Sequence, residues 1–289
     1  MHADLDALVI ALYVRVDDLL PARQGPGHPP KITDAELIAL AVAQMFLAVP
    51  NDRKFLAFAR WRLGHLFPYL PKQPGYNKRM RALAPTIAKV LAHLATNSPS
   101  FCDNLRLLDS TPVPCGQSRE TARRSELAGD AGYGWYRSHS RYLWGFRLYL
   151  LCAPDGMPIA FELAAANVPE RQVAAEMLAR VDLYGYTVIA DKGFAGQDFE
   201  ALMAEFGAIF RRPDRKGEEP RFGGLGAIRQ WIESVFDTFK GQLSLEDHGA
   251  VTMPGLMTRI AGRLLALAAC LWHNWAVGDP GRHLTAYDH

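Results

Sequence analysis

Apolar residues recur at helical spacing through the first 100 positions and then give way to short apolar runs and alternations. "LDALVIALYVRVDDLL", residues 5–20, carries them every three or four positions and stops at Pro21, before the loop "QGPGHPP". "TDAELIALAVAQMFLAV", residues 33–49, opens with Thr33 followed three positions later by Glu36, a capping-box pattern that predicts a helix start. "VPND" interrupts it, and a basic helix is expected from about Arg53. A helix, a short turn and a second, basic helix fit a helix-turn-helix DNA reader, although two packed helices are common in proteins that bind nothing.

From residue 101 the texture changes. "LRLLDSTPV" reads as a short strand ending at Asp109, and "WGFRLYLLCAPDGMPIAFEL" as two strands joined by a turn at Asp155 and Gly156. A helix over "ERQVAAEMLARV", a strand "YTVIAD" ending at Asp191, a helix "GQDFEALMAEFG" and a strand "AIFRRP" follow. An amphipathic helix over residues 228–243 and a last helix from about Pro254 to Trp275 close the chain. Strands followed by alternating helices and strands predict an α/β fold with a mixed sheet flanked by helices. The expected division is a helical region over residues 1–100 and a mixed-sheet region over 101–289 that includes the C-terminal helix.

With 289 residues, 49% of them hydrophobic, the chain can bury a large core. Its 32 basic and 30 acidic residues nearly cancel, so only their distribution bears on partners. Between Asp52 and Lys89 that distribution is lopsided: Arg53, Lys54, Arg60, Arg62, Lys72, Lys78, Arg79, Arg81 and Lys89 face a single acid, Asp52. Most surface Lys and Arg bind nothing; the aromatic residues interleaved in "FARWRLGHLFPYL" favour a nucleic-acid partner. Cys102, Cys115, Cys152 and Cys270 are far apart, with no C-x-x-C pair, and are expected to be free thiols in a reducing compartment. No secretory leader is legible at the amino terminus, and "LLALAACLWHNWAV" falls short of the roughly 20 residues a membrane span needs. The expectation is a cytoplasmic protein with no membrane partner.

Two predicted strands end in an acid, Asp109 and Asp191, and ligand sites of such sheets lie beyond the carboxyl ends of strands. Glu233 is a third acid, on the amphipathic helix. At about 100° per residue, Arg229 lies about 40° and Lys240 about 20° from Glu233, both to the same side, so the three form one stripe opposite the apolar face. Three converging carboxylates make a hard oxygen site suited to Mg2+ or Mn2+, and two such ions suit phosphodiester displacement. Taken singly, an aspartate after a strand is more often a turn former, and a helix-face glutamate is usually solvated. Asp103, Asp155 and Asp198 compete as loop, turn and helix-start residues, and Asp237 shares the face of Glu233.

The ordered set "LLDSTPV", "VIADKGF" and "IRQWIESVFDTFK" resembles the DDE transposases of bacterial insertion sequences, and its third segment resembles their Y-R-E-K signature through Arg229, Glu233 and Lys240. Gly226 stands where the signature has tyrosine. "DKGF", with Lys192 and Gly193, resembles the family's Asp-x-Gly-aromatic element, Gly193 being expected to permit a tight turn. The 41 residues between Asp191 and Glu233 are too few for the insertion domain of some relatives.

The resemblance implies an RNase H-like catalytic fold. It implies Asp109, Asp191 and Glu233 as catalytic ligands of two Mg2+ or Mn2+ ions, cleavage at the ends of a mobile element, and strand transfer of the freed 3'-hydroxyl into target DNA. A homodimer or higher oligomer on DNA is implied too. Arg229, Lys240 and Lys192 would contact DNA at the site. Arg53, Lys54, Arg60, Arg62, Lys78, Arg79 and Arg81 would hold the terminal inverted repeats, with Arg123 and Arg124 of "SRETARRS" and the segment "YRSHSRYLWGFR" near the reacting strand. Trp135, Tyr136 and Trp144 suit a hairpin core better than base stacking.

Overall fold

A computed structural model describes residues 4–21, 30–116, 118–136, 140–221, 223–279 and 281–287. Most of the predicted loop "QGPGHPP" and residues 137–139 of "YRSHSRYLWGFR" lie outside the described residues. The chain forms two compact units: residues 1–98 with 241–250 and 254–289, and residues 99–240 with 251–253. The C-terminal helix is thus grouped with the amino-terminal helices and not with the sheet, contrary to the expected division. Its apolar circumference accounts for this: a helix hydrophobic on all sides needs helices around it, whereas a sheet face covers one side only.

In the first unit, α1 (Leu5–Leu19), α2 (Asp34–Phe46), α3 (Asp52–Arg62), α4 (Gln73–Ala82) and α5 (Ala84–Thr96) follow in order, with α10 (Met253–Val277) drawn from the far end of the chain. Both halves of the predicted capping box form: Thr33 Oγ1 accepts from the Glu36 N–H at 3.0 Å, and Glu36 accepts from the Thr33 N–H at 2.5 Å. α2 is buried almost all round, and α10 is buried continuously from Ile260 to Leu271. By length and composition α10, at 25 residues, would cross a bilayer. Its residues from Ile260 to Leu271 are instead buried inside the protein, and Arg263 among them is 1% exposed, donating to the carbonyls of Leu243, Arg259 and Ser244 at 2.7–3.0 Å.

The second unit carries one mixed six-stranded sheet in the order β2-β3-β1-β5-β6, with β4 also paired to β3. The strands are β1 (Leu105–Gly116), β2 (Gly132–Tyr136), β3 (Arg141–Cys152), β4 (Pro158–Ala165), β5 (Thr187–Ala190) and β6 (Ile209–Arg211). β1 runs antiparallel to β3 and parallel to β5, and β5 parallel to β6. The helices of this unit are α6 (Arg119–Arg124), α7 (Glu170–Leu178), α8 (Gln197–Glu205) and α9 (Gly226–Gly241). Val173, Ala174, Met177 and Leu178 of α7 and Phe199 and Met203 of α8 share a core with Leu108, Tyr149, Leu151 and Val188 of the sheet. This is the α/β arrangement of an RNase H-like fold, as expected.

One strand differs from its expectation in a way that matters to the site. β1 does not end at Asp109; it continues for seven residues to Gly116, paired with β3 apart from an irregularity at Cys115. Its other neighbour, β5, pairs only with Leu105–Leu108. Beyond Leu108 that edge of β1 is open, which is why Pro112 and Pro114, lacking a ladder N–H, are tolerated in the strand. Asp109 stands where the opening begins.

Candidate active site

The register that pairs Leu108 with Ala190 brings Asp109 of β1 next to Asp191, the residue that follows β5. Both line a cavity of about 720 Å3 whose wall also includes Glu170, Arg147, Lys192 and Trp135. The Ser110 N–H donates to Asp109 Oδ1 at 2.7 Å. Burial nevertheless pushes the Asp109 carboxyl up to about 7, with the Asp191 and Glu170 carboxylates adding to the rise and the Ser110 N–H and Arg229 opposing it. Asp191 Oδ1 is buried without a hydrogen-bond partner; Arg229 Nη2 lies 3.1 Å away, close enough for attraction but not aligned to donate. The pair therefore holds more negative charge, and more unused acceptor capacity, than the protein satisfies.

After Asp191 the chain makes one 3-10 turn, Lys192–Phe194, anchored by the buried Phe194 ring. Gly193 sits in this tight turn, as expected of the element, without a left-handed backbone. A Cβ there would lie 2.9 Å from Oε2 of Glu170. The glycine makes room for a carboxylate.

The helix-borne residues are arranged differently. α9 buries Ile232, Val235, Phe236 and Phe239 and leaves Glu233 exposed, outside the cavity lining. Arg229 bridges the gap, with Nη2 3.4 Å from Glu233 Oε1 and 3.1 Å from Asp191. Asp237, indistinguishable from Glu233 by sequence geometry, has no such link among the described residues. Lys240 lies in the last turn of α9 and does not line the cavity, whereas Lys192 does.

A family model for the transposase DDE domain matches residues 100–269, more than half of the chain. The chain belongs to the transposase DDE domain family. No curated protein matches it significantly. The family supplies transposase-type nuclease activity on DNA and generally uses divalent metal ions. In this DDE domain the two strand-borne acids fit such an ion, because a buried carboxylate oxygen with no hydrogen-bond donor and a carboxyl raised by its acidic neighbours are both relieved by a cation. Among the described residues, no three acids, His or Cys are already gathered as a metal cage. The structure thus brings Asp109 and Asp191 together and connects Glu233 to them only through Arg229.

Glu170 escaped the sequence reading. It opens α7, where an acid suits the helix dipole and looks merely solvated. In the structure its Oε1 accepts from Ser110 Oγ at 2.5 Å and from Arg147 Nη1 at 2.7 Å. The available signal was Arg147, a guanidinium inside the apolar run "WGFRLYLL", which needs hydrogen-bond acceptors, acidic or carbonyl, close by. Of the aromatic residues, Tyr136 and Trp144 are buried as expected, while Trp135 is 49% exposed at the cavity and meets Tyr142 edge-on at 5.1 Å.

The basic residues also separate. Arg60 donates to the carbonyls of Leu56 and Pro71, Arg62 pairs with Asp6 at 3.3 Å, and Arg79 ties α4 to Asp34 and to the Ile32 carbonyl. Arg53, Lys54, Lys78, Arg81, Arg123 and Arg124 are exposed; Arg124 makes one solvent-facing pair with Glu120 at 3.4 Å.

Proposed function

We propose that this DDE domain protein is a DNA transposase that cleaves the ends of an insertion sequence and joins the freed 3'-hydroxyls to target DNA by phosphoryl transfer. The observation that carries this reading is the pair of under-satisfied carboxylates, Asp109 on β1 and Asp191 just after the parallel strand β5. Asp109 and Asp191 would hold Mg2+ or Mn2+, with Glu233 as the third ligand; the bound ions would supply charge stabilisation at the attacking and leaving oxygens of the phosphodiester.

The chain's own groups do the rest. Lys192, at the cavity, places an ammonium beside the strand's phosphates, and Lys240 extends the cationic track along α9. Arg229, poised between Asp191 and Glu233, neutralises the acids before the substrate arrives and can turn its planar fork to a phosphate when a cation takes its place. Arg53, Lys54, Lys78 and Arg81, with Arg123 and Arg124, provide sequence-independent attraction for double-stranded DNA, the terminal inverted repeats in particular. Two ends must be held together, so a homodimer or higher oligomer on DNA follows from the same reading, as does a cytoplasmic, nucleoid-associated setting.

The test is a plasmid assay with the purified full-length protein, a donor carrying the inverted repeats that flank the gene, and Mg2+. Cleaved ends together with strand-transfer products are expected. Cleavage without joining would replace the proposal with a simple RNase H-like nuclease, and Glu233→Gln retaining activity that Asp237→Asn loses would move the third ligand one turn along α9.

A further inference from the structure

We propose that Glu170, held by Arg147, is a positioning residue that fixes Asp109 for cation binding. The inference rests on the reading of Asp109 as a metal-binding acid and adds to it a residue outside the three acids.

The geometry runs as a chain of directional contacts. Arg147 Nη2 donates to the Trp135 carbonyl at 3.0 Å, and its guanidinium lies over the Tyr136 ring, 4.6 Å from the centroid. So fixed, Arg147 Nη1 donates to Glu170 Oε1 at 2.7 Å. The same oxygen accepts from Ser110 Oγ at 2.5 Å, and the Ser110 N–H donates to Asp109 Oδ1 at 2.7 Å. β1 is unpaired on the β5 side from Asp109 onward, so its ladder to β3 alone would leave this stretch with one supporting neighbour. Glu170 supplies a second support from α7 through the Ser110 side chain, on the face of the sheet that it shares with Arg147.

The other Glu170 oxygen, Oε2, is the atom that a Cβ at Gly193 would meet at 2.9 Å. One carboxylate is therefore bonded to the residue after Asp109 and lies beside the turn after Asp191. Hydrogen-bonding partners of metal-binding side chains set their orientation, and losing one commonly lowers metal affinity by about 10- to 100-fold. Glu170 is placed for that role because its Oε1 is already shared between two donors.

The experiment is a Mn2+ titration of the full-length protein, read from the loss of the free-ion paramagnetic resonance signal, beside a thermal melt. Wild type is expected to show a site that Asp109→Asn loses. Glu170→Ala is expected to weaken that site about tenfold or more, while Glu170→Gln, which keeps an acceptor for Arg147 and Ser110, restores most of the affinity. Ser110→Ala, a one-atom change at a partly exposed position, is expected to weaken it by a smaller factor at an unchanged melting temperature, and serves if Glu170→Ala fails to fold. Unchanged affinity in both Glu170→Ala and Ser110→Ala overturns the inference while leaving the metal reading intact. Equal losses in Glu170→Gln and Glu170→Ala overturn positioning in favour of direct ligation. Wild type and Asp109→Asn binding Mn2+ alike would defeat the metal reading itself, and this inference with it.

Discussion

Asp52 and Asp191 are both acids with a buried oxygen, and they differ in how far the protein satisfies them. In the helical unit, Asp52 accepts from Gln44 Nε2 and from Arg259 Nη2, each at 2.9 Å, and Tyr76 in turn donates to Gln44 at 3.0 Å. This closed network joins α2, α3, α4 and α10. In the sheet unit, Asp191 has a buried oxygen with no donor, and its neighbour Asp109 is raised to about 7. A buried charge whose partners are all present is structural; one whose partners are missing stores unfavourable energy that a substrate or cation can relieve. The single acid in the basic segment thus turns out to be internal, and the face that segment shows to solvent is more cationic than its composition.

The largest expected contrast lies in stability. Asp52→Ala should cost about 3 kcal/mol by stranding Arg259 and Gln44, read as a lower midpoint in denaturant, with cleavage per folded molecule little changed. Asp109→Asn should leave the midpoint unchanged or raise it, because it removes a desolvated charge; a loss as large as that of Asp52→Ala would erase the distinction between the two acids.

Smaller effects sharpen the contrast among the cations. Lys78→Gln and Arg81→Gln should weaken duplex binding at low salt and each reduce the slope of log affinity against log salt by about 0.9, measured by fluorescence anisotropy at several salt concentrations. Arg79→Gln should instead act mainly on stability, since its guanidinium is committed to Asp34 and the Ile32 carbonyl.

The smallest effect concerns pH. His273 in α10 contacts the Tyr287 hydroxyl at 2.8 Å, and burial lowers its pKa from the ordinary value of 6.5, with Asp4 opposing. The unfolded chain takes up that proton near 6.5 and the folded chain resists it. The contribution is complete above that pH and is lost as pH falls through 6.5 toward the lowered folded value. His273→Gln should flatten this acid slope in thermal melts; an unchanged slope would place the acid sensitivity elsewhere.

Most elements were legible because their signals are local: the Thr33–Glu36 cap, the Asp155–Gly156 turn, and the 3.6-residue stripe of Ile232, Val235, Phe236 and Phe239. β2 and α6 were not, since "GYGWY" carries two glycines that weaken a strand pattern and "RETARR" is one short polar helix. Asp109 and Asp191 could be nominated from the ends of apolar runs, but the continuation of β1 past Asp109 depends on β5 stopping early, which is a pairing fact with no local trace. Glu170 illustrates the same limit: its partners stand 60 and 23 positions away. Conversely, the choice of Glu233 over Asp237, open on sequence geometry, acquires a physical reason in the Arg229 bridge to Asp191.

The under-satisfied pair, Asp109 and Asp191, is the proposed catalytic centre. The most direct measurement is the single-turnover rate of Mg2+-dependent cleavage at an element end by wild type, Asp109→Asn and Asp191→Asn, each shown to be folded by its melt. Ions lost from such a site forfeit several kcal/mol of transition-state stabilisation, so each variant should be slower by at least about 1000-fold. Either variant, folded and cleaving at the wild-type rate, would contradict the account.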